Sequence, residues 1–470
     1  MSLAHPEMVP NGLVPPQAAR LFTELKPPLS DDQARLEADR CLVCGSGTTP
    51  APCASACPAL VDVPHFVDAV AHGDWEGAAE LIFRSNLLGA SCARVCPTEE
   101  LCEGACVLTR QGRRPIEIGR LQRYATDHAL ENPWSAFRTP APPTGKRVLV
   151  IGAGPAGLVC AGELALLGHQ VTIYEARPET GGLVRHAIAP YRLDQEPLAD
   201  EVRRILSLGV ELYLGRPVET PAALARLEDE ADAIFLGIGM GKDVAQPYPG
   251  DQLPGVWNSL DFIEAIKLRH MTEVGRRVLV IGGGNTAIDV AREAARLGAE
   301  DVRILYRRTE AEMPAFRFEV EGAREDGVGF EWLTNPVGIV GEDRVTGVLC
   351  QRMQLGEPDA SGRARPVPQK GSEFVLPADT VIRAIGQAPR LEFLGWIAGL
   401  ELKSGRPVVD PQTGQTTNPK YFAGGDVLNG GGTVVAAVGA AKRAALGIDA
   451  YLRAVDDPDP GEPVDSQEVS

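Results

Sequence analysis

RVLVIGAGPAGLVCAGELALLGHQVTIYEAR occupies residues 147–177, and RVLVIGGGNTAIDVAREAARLGAEDVRILYRR occupies residues 277–308. Each begins with a short apolar run, passes through a glycine-rich turn, continues with helical spacing, and ends in a second strand after another Gly. That order is a βαβ unit, and the chain contains it twice. In the first copy Gly152, Gly154 and Gly157 form GxGxxG, with Pro155 and Ala156 between the last two. The first glycine allows the tight turn, the second lets the backbone approach a pyrophosphate, and the third permits close helix–strand packing. The helix N-terminus offers free N–H groups to phosphate. Glu175 ends the second strand, where a carboxylate can accept hydrogen bonds from ribose hydroxyls.

In the second copy the corresponding positions are Gly282, Gly284 and Ala287, with Asn285 and Thr286 opening the helix. Where the acid should stand, the chain reads Tyr306-Arg307-Arg308. A carboxylate would repel a 2′-phosphate, whereas guanidinium groups bind it, so this unit is expected to take NADP(H). The alternative is a solvated basic strand end. Near the C-terminus, YFAGGDVLNGGGTVV places Asp426 at a strand end before a glycine-rich turn, and Thr433 just before a small-residue helix. An acid in that position can orient a flavin and its ribityl chain.

Upstream, eight of the ten cysteines fall between Cys41 and Cys106. Such crowding points to metal or redox chemistry. Cys57-Pro58 and Cys96-Pro97 match the Cys-Pro ending of ferredoxin runs, and no His stands at zinc-finger spacing, so iron–sulfur clusters are favoured. A pair of all-cysteine zinc sites is the alternative. Ser30 and Gln33 read as a helix capping box, and residues 64–86 carry apolar residues at helical spacing. Residues 133–145, rich in Pro, read as a linker.

The whole-chain arithmetic agrees. A length of 470 residues suits about three domains. With 63 acids against 46 bases, the net charge of −17 argues against nucleic-acid or membrane-surface binding. Residues 148–168 are long and weakly charged enough for a membrane span, but their glycines and Pro155 break them into strand, turn and helix. With no secretory signal at the N-terminus, a cytoplasmic protein is expected.

These motifs together resemble the two-dinucleotide-binding-domain flavoproteins, with FLGIGM (residues 235–240) and VIRAIGQAP (residues 381–389) as crossover strands. Over residues 35–455 the chain is similar to the iron–sulfur flavoproteins shared by the small subunit of NADPH glutamate synthase and the N-terminal half of dihydropyrimidine dehydrogenase. RCLVC, CPALVDVPHFV, NLLGASCARVCPTEELCEGACVL, PIEIGRLQRYATD, ETGGLVRHAIAPYRL and YRRTEAEMPA carry the likeness.

The resemblance implies an α/β architecture: a helical [4Fe–4S] domain (1–140), then an FAD domain (145–260 and 386–455) interrupted by an NADP domain (261–385), with an acidic tail at 456–470. It implies FAD, NADPH and two [4Fe–4S] clusters. Cys41, Cys44, Cys53 and Cys106 would hold one cluster; Cys57, Cys96, Cys102 and Gln122 would hold the other, leaving Cys92 a non-ligand. Eight residues separate Cys44 from Cys53, more than the family usually has. Gly182, Leu183, Arg192, Asp426 and Thr433 would line FAD, and Gly284, Asn285, Thr286, Arg307 and Arg308 would meet NADP. No nucleophile or triad is required.

Electrons would leave for a partner subunit built on an FMN-containing barrel. Gln122, where glutamate synthase relatives usually carry Glu, leans toward a pyrimidine-reducing partner. YRRTEAEMPA leans toward the glutamate synthase large subunit, and a ferredoxin:NADP oxidoreductase is a third reading. Two further alternatives are a zinc-stabilised FAD-binding scaffold and a thioredoxin-reductase-like enzyme. The latter needs a CxxC beyond Gly145, and the sequence has none.

Overall fold

A computed structural model describes residue 22 and residues 24–45, 49–131, 138–244, 248–268, 274–359 and 362–456, with side chains to 454. The expected acidic tail beyond residue 456 and residues 133–137 of the Pro-rich linker lie outside these residues.

The first layer is helical. Asp31–Ala38 starts at the expected box: Gln33 N donates to Ser30 Oγ, and Ser30 N donates to the Gln33 side chain. The apolar spacing of residues 64–86 becomes two helices, Val63–Ala71 and Trp75–Ser85, broken at Gly73-Asp74, with Asp74 capping the second. Gly89–Val95 and Ile118–Glu131 pack beside them and bury Cys92, Leu121, Gln122 and Ala125. The helices bury their apolar stripes in one core shared with the first sheet.

That sheet is parallel, in the order Tyr421–Ala423, Ala233–Leu236, Arg147–Ile151, Gln170–Tyr174, Glu211–Tyr213. The second sheet is also parallel, in the order Val256–Asn258, Thr380–Arg383, Arg277–Ile281, Asp301–Tyr306, Gly329–Trp332. The two copies of RVLVI are the central strands of two equivalent sheets, buried after their first residue as strands covered on both faces must be. The chain leaves the first sheet after Leu236, builds the second, and returns at Tyr421. One domain is thus inserted in the other. The expected boundary at 260 is late, because Val256–Asn258 already pairs with Thr380–Arg383 in the second sheet. A three-stranded antiparallel sheet, Thr334–Gly341, Val345–Pro358 and Ala364–Pro377, adjoins the second domain. Among the described residues no helix is long and apolar enough to cross a membrane.

Candidate functional site

The first glycine-rich turn is built by close approach. Gly152 holds φ at 104°, and a Cβ on Gly157 would sit 1.8 Å from Gly152 O. Only hydrogens fit there, so the helix Pro155–Leu166 starts tight against its strand. At Gly154 an added Cβ would meet nothing nearer than the Gly182 Cα at 4.0 Å, which leaves a backbone face open to a ligand. Glu175 spans the mouth of the turn. It accepts from Ala153 N at 2.7 Å and Arg177 N at 2.8 Å, which fixes the carboxylate where a ribose would lie.

The second turn repeats this arrangement. Gly284 has no heavy atom within 4 Å of an added Cβ. Asn285 Oδ1 accepts from Phe316 N at 2.9 Å and ties down the chain facing the helix start.

The two sites meet. A cleft of about 690 Å³ is lined by Gly282–Thr286 and Arg307 from the second domain, and by Leu183, Asp426 and Gly430–Thr433 from the first. Asp426 accepts from Gly432 N at 3.0 Å, and this shapes the turn before the helix Val434–Asp456. Burial pushes its carboxyl pKa up.

Two residues expected at cofactors have other partners. Arg192 bridges the domains: its Nε donates to Asp289 at 2.8 Å, and its Nη2 donates to Glu319. Arg308 is buried, donating to Ala364 O at 2.8 Å and to Asp359 Oδ2 at 2.7 Å. Arg307 stays exposed at the cleft.

The cysteines gather in two groups. Cys41, Cys44, Cys53 and Cys106 line one apolar pocket with Val63, Val67, Leu108 and Ile116. The long Cys44–Cys53 insert therefore does not carry Cys53 away. Burial, then the Cys41 and Cys106 charges, pushes the Cys53 thiol up to about 11. Converging thiols that raise one another's pKa are what a cationic cluster would relieve. Val43 and Leu60, neither of them Gly, hold φ at 43° and 56° beside Cys44 and Cys57. Such strain is kept where the chain must wrap something.

In the second group the Cys96 thiol is pushed well up, first by its hydrogen bond with Cys92, then by burial and the Cys102 and Cys57 charges. Cys92 is thus a neighbour of this group. Gln122, on the facing helix, donates its Nε2 to Gly89 O at 2.7 Å, which turns its carbonyl oxygen away from that bond. Thiolates and an amide oxygen are donor types that suit an iron–sulfur cluster, although among the described residues the side chains as placed do not form a metal-holding group of three or more His, Cys, Asp or Glu.

A single helix connects the cleft to this second group. Val434–Asp456 begins beside Thr433, and six residues on, a Cβ on Gly439 would come within 2.3 Å of Pro58 O. Lys442 then donates to Ala59 O at 3.0 Å and Ser85 O at 2.5 Å. Six helical residues span about 9 Å. Sequence reading passed over Gly439 and Lys442. The small-residue run AAVGAAKRAALG was their only local signal.

Residues 146–441 match the family model for pyridine nucleotide-disulphide oxidoreductases, and residues 18–134 match that for dihydropyrimidine dehydrogenase domain II with its 4Fe–4S cluster. The glutamate synthase [NADPH] small chain of Halomonas elongata is 39% identical, covering 92% of this chain and 94% of that one. The chain belongs to the iron–sulfur flavoprotein family of the glutamate synthase small chain. A putative oxidoreductase of Escherichia coli, AegA, is also 39% identical, covering 92% of this chain and 67% of that one. Mycobacterium tuberculosis FprA in complex with NADPH shares the fold at a TM-score of 0.56 and 19% identity, over 66% of this chain and 86% of that one. As a member of the family the chain is an oxidoreductase whose cofactors are FAD, a pyridine nucleotide and [4Fe–4S] clusters.

Proposed function

We propose that this chain is the NADPH-oxidising, electron-input subunit of a cytoplasmic two-subunit enzyme. One observation carries the reading: the second dinucleotide motif shares a cleft with Leu183 and the Asp426–Thr433 turn of the first domain, and a single helix runs from that turn to a cysteine turn. Gly152, Gly154, Gly157, Glu175, Gly182, Leu183, Asp426 and Thr433 would hold FAD. Gly284, Asn285, Thr286 and Arg307 would hold NADPH. Cys41, Cys44, Cys53 and Cys106 would hold one cluster, and Cys57, Cys96, Cys102 and Gln122 the other. Bound there, the flavin supplies exchange between hydride and single-electron chemistry, and the clusters supply one-electron storage.

The chain's own residues supply position and field. The Gly154 turn and its helix N-terminus bind diphosphate, and Glu175 orients ribose. Asp426 fixes the Gly430–Thr433 turn at the meeting point of the two nucleotides. The apolar walls at Val63, Val67, Leu108 and Ile116 keep water from the first cysteine group.

For the partner, a glutamate synthase large subunit is favoured by the Halomonas elongata relative, which is matched over nearly its full length. A pyrimidine-reducing partner keeps two supports: Gln122 and the domain II family match. Anaerobically reconstituted protein should reduce a dye acceptor faster with NADPH than with NADH. Mixed with a glutamate synthase large subunit, it should form glutamate from glutamine and 2-oxoglutarate. Reduction of uracil by a complex with a pyrimidine-reducing barrel, and no glutamate with the former, would favour the second partner. An NADH preference would defeat the nucleotide assignment.

A further inference from the structure

We propose that Lys267 is a positioning residue for hydride transfer: from the inserted domain its ammonium grips Val184 O and Ile188 O, and so sets where the segment 181–188 lies between the two glycine-rich turns. The inference rests on the NADPH reading of the cleft and extends it to a side chain outside both fingerprints.

Segment 181–188 belongs to the first domain. Gly181 N donates to Ala153 O at 2.8 Å, which binds the start of the segment to the first glycine-rich turn. A Cβ on Gly182 would lie 2.9 Å from the Gly154 Cα, so the two backbones touch. Leu183, the next residue, lines the cleft with Gly282–Thr286 of the second turn. One residue further on, the grip begins. Lys267 ends the helix Ser259–Lys267 of the inserted domain, and its Nζ donates to Ile188 O at 2.5 Å and to Val184 O at 3.4 Å. Glu264, one turn earlier on that helix, accepts from Arg177 Nη1 at 2.5 Å. The helix thus holds the first domain on both flanks of the segment. The two chain passages between the domains pair separately, through Gly241 N to Ala388 O at 2.7 Å and Val244 N to Gly386 O at 2.8 Å.

Arg177–Glu264 and Arg192–Asp289 join opposite charges across the same seam. Lys267 instead offers a buried charge to neutral carbonyls. Such acceptors hold an ammonium well and an amine poorly. The charged groups facing it are Glu293 and Asp289 on the helix Asn285–Arg296, Asp194 at the cap of the helix Gln195–Leu206, and Arg185 beside Val184. Burial lowers the ammonium pKa to about 8, and Glu293 opposes that shift. Glu293 is itself fully buried, and neither of its oxygens has a hydrogen-bond partner among the described residues. The grip is therefore full below pH 8 and loosens above it. His186, whose Nδ1 lies 3.2 Å from Glu264, is held below its ordinary pKa by burial and is neutral across that range.

The test uses the reconstituted holoenzyme and reads flavin bleaching by NADPH in stopped flow, together with hydrogen–deuterium exchange. Lys267→Met should slow flavin reduction at pH 7 about tenfold. The Kd of NADPH should stay within about twofold, because the nucleotide's own contacts are untouched. Wild-type reduction should fall to half near pH 8, whereas Lys267→Met should be flat from pH 7 to pH 9. Independently of turnover, peptides covering residues 183–193 should exchange about tenfold faster in Lys267→Met, with those of residues 31–131 unchanged. If Lys267→Met loses FAD, Lys267→Gln replaces it in every comparison. An unchanged rate in the variant, or a wild-type profile with no fall near pH 8, overturns the inference. A Kd that rises in step with the lost rate also overturns it, since Lys267 would then be a nucleotide contact. If the wild-type flavin is bleached by NADH and not by NADPH, the nucleotide reading fails, while the exchange result still decides the grip.

Discussion

Lys442 Nζ lies 3.0 Å from Ala59 O, a bond joining residues 383 positions apart across the boundary between the FAD-type domain and the cysteine domain. Burial lowers the pKa of this ammonium, and Glu163 counters that shift. The charge sits beside the turn that carries Cys57. Lys442→Met is expected to lower the midpoint potential of the cluster held there, by roughly a few tens of millivolts. A redox titration followed by electron paramagnetic resonance reads it, and an unmoved potential would remove Lys442 from any tuning role.

Glu201 joins the same two domains elsewhere. Fully buried, it accepts from Ala90 N at 2.6 Å and Ser91 Oγ at 2.5 Å. Burial raises its pKa from 4.5 to about 7. A carboxyl raised on folding binds more protons in the folded state, so its contribution is full below pH 4.5 and declines as pH climbs through about 7. The span is about 3 kcal/mol. Relative to Glu201→Gln, the wild type should lose melting temperature between pH 5 and pH 8. Parallel melting curves at every pH would refute this.

Arg192 reaches across the interdomain seam to Asp289 and Glu319, and Tyr191 OH adds a bond of 2.7 Å to Asp289. Arg192→Met would leave the buried Asp289 without its paired cation and Glu319 with only Arg292, 3.8 Å away, at a cost of about 3 kcal/mol. Thermal or urea unfolding should show this. Limited proteolysis should also cut sooner between the domains. A loss below about 1 kcal/mol would mean the pair is effectively solvated.

The two cysteine groups can be separated chemically. Cys102→Ala should halve iron and acid-labile sulfide while leaving flavin reduction by NADPH intact. Cys92→Ser should keep the iron content, since Cys92 is assigned as a hydrogen-bonding neighbour of Cys96. Gln122→Ala should alter the spectrum of the second cluster alone. If Cys92→Ser rather than Gln122→Ala loses iron, the fourth ligand has been misassigned.

The parts of this molecule legible in sequence were those written locally. RVLVI, its glycines and its helix lie within about 30 residues, and the Ser30–Gln33 cap within four. Arg192 and Arg308 were legible as arginines but not in their tasks. Their partners lie 97, 127 and 51 residues away, and tertiary contact alone decides which acceptor a guanidinium meets. The domain boundary slipped for a similar reason. Val256–Asn258 is three residues long and shows its allegiance only through its pairing with Thr380–Arg383.

Gly439 leaves no room between the helix Val434–Asp456 and Pro58. On the proposed route, a stiff rod that starts at the cleft and bears directly on the cysteine turn would fix the gap an electron crosses on that side. The inserted domain joins the rest through only two chain passages, one between Leu236 and Val256 and one between Arg383 and Tyr421. On the proposed route, gating of turnover by domain movement would act on arrival of the nicotinamide, while the outbound path would keep a constant length.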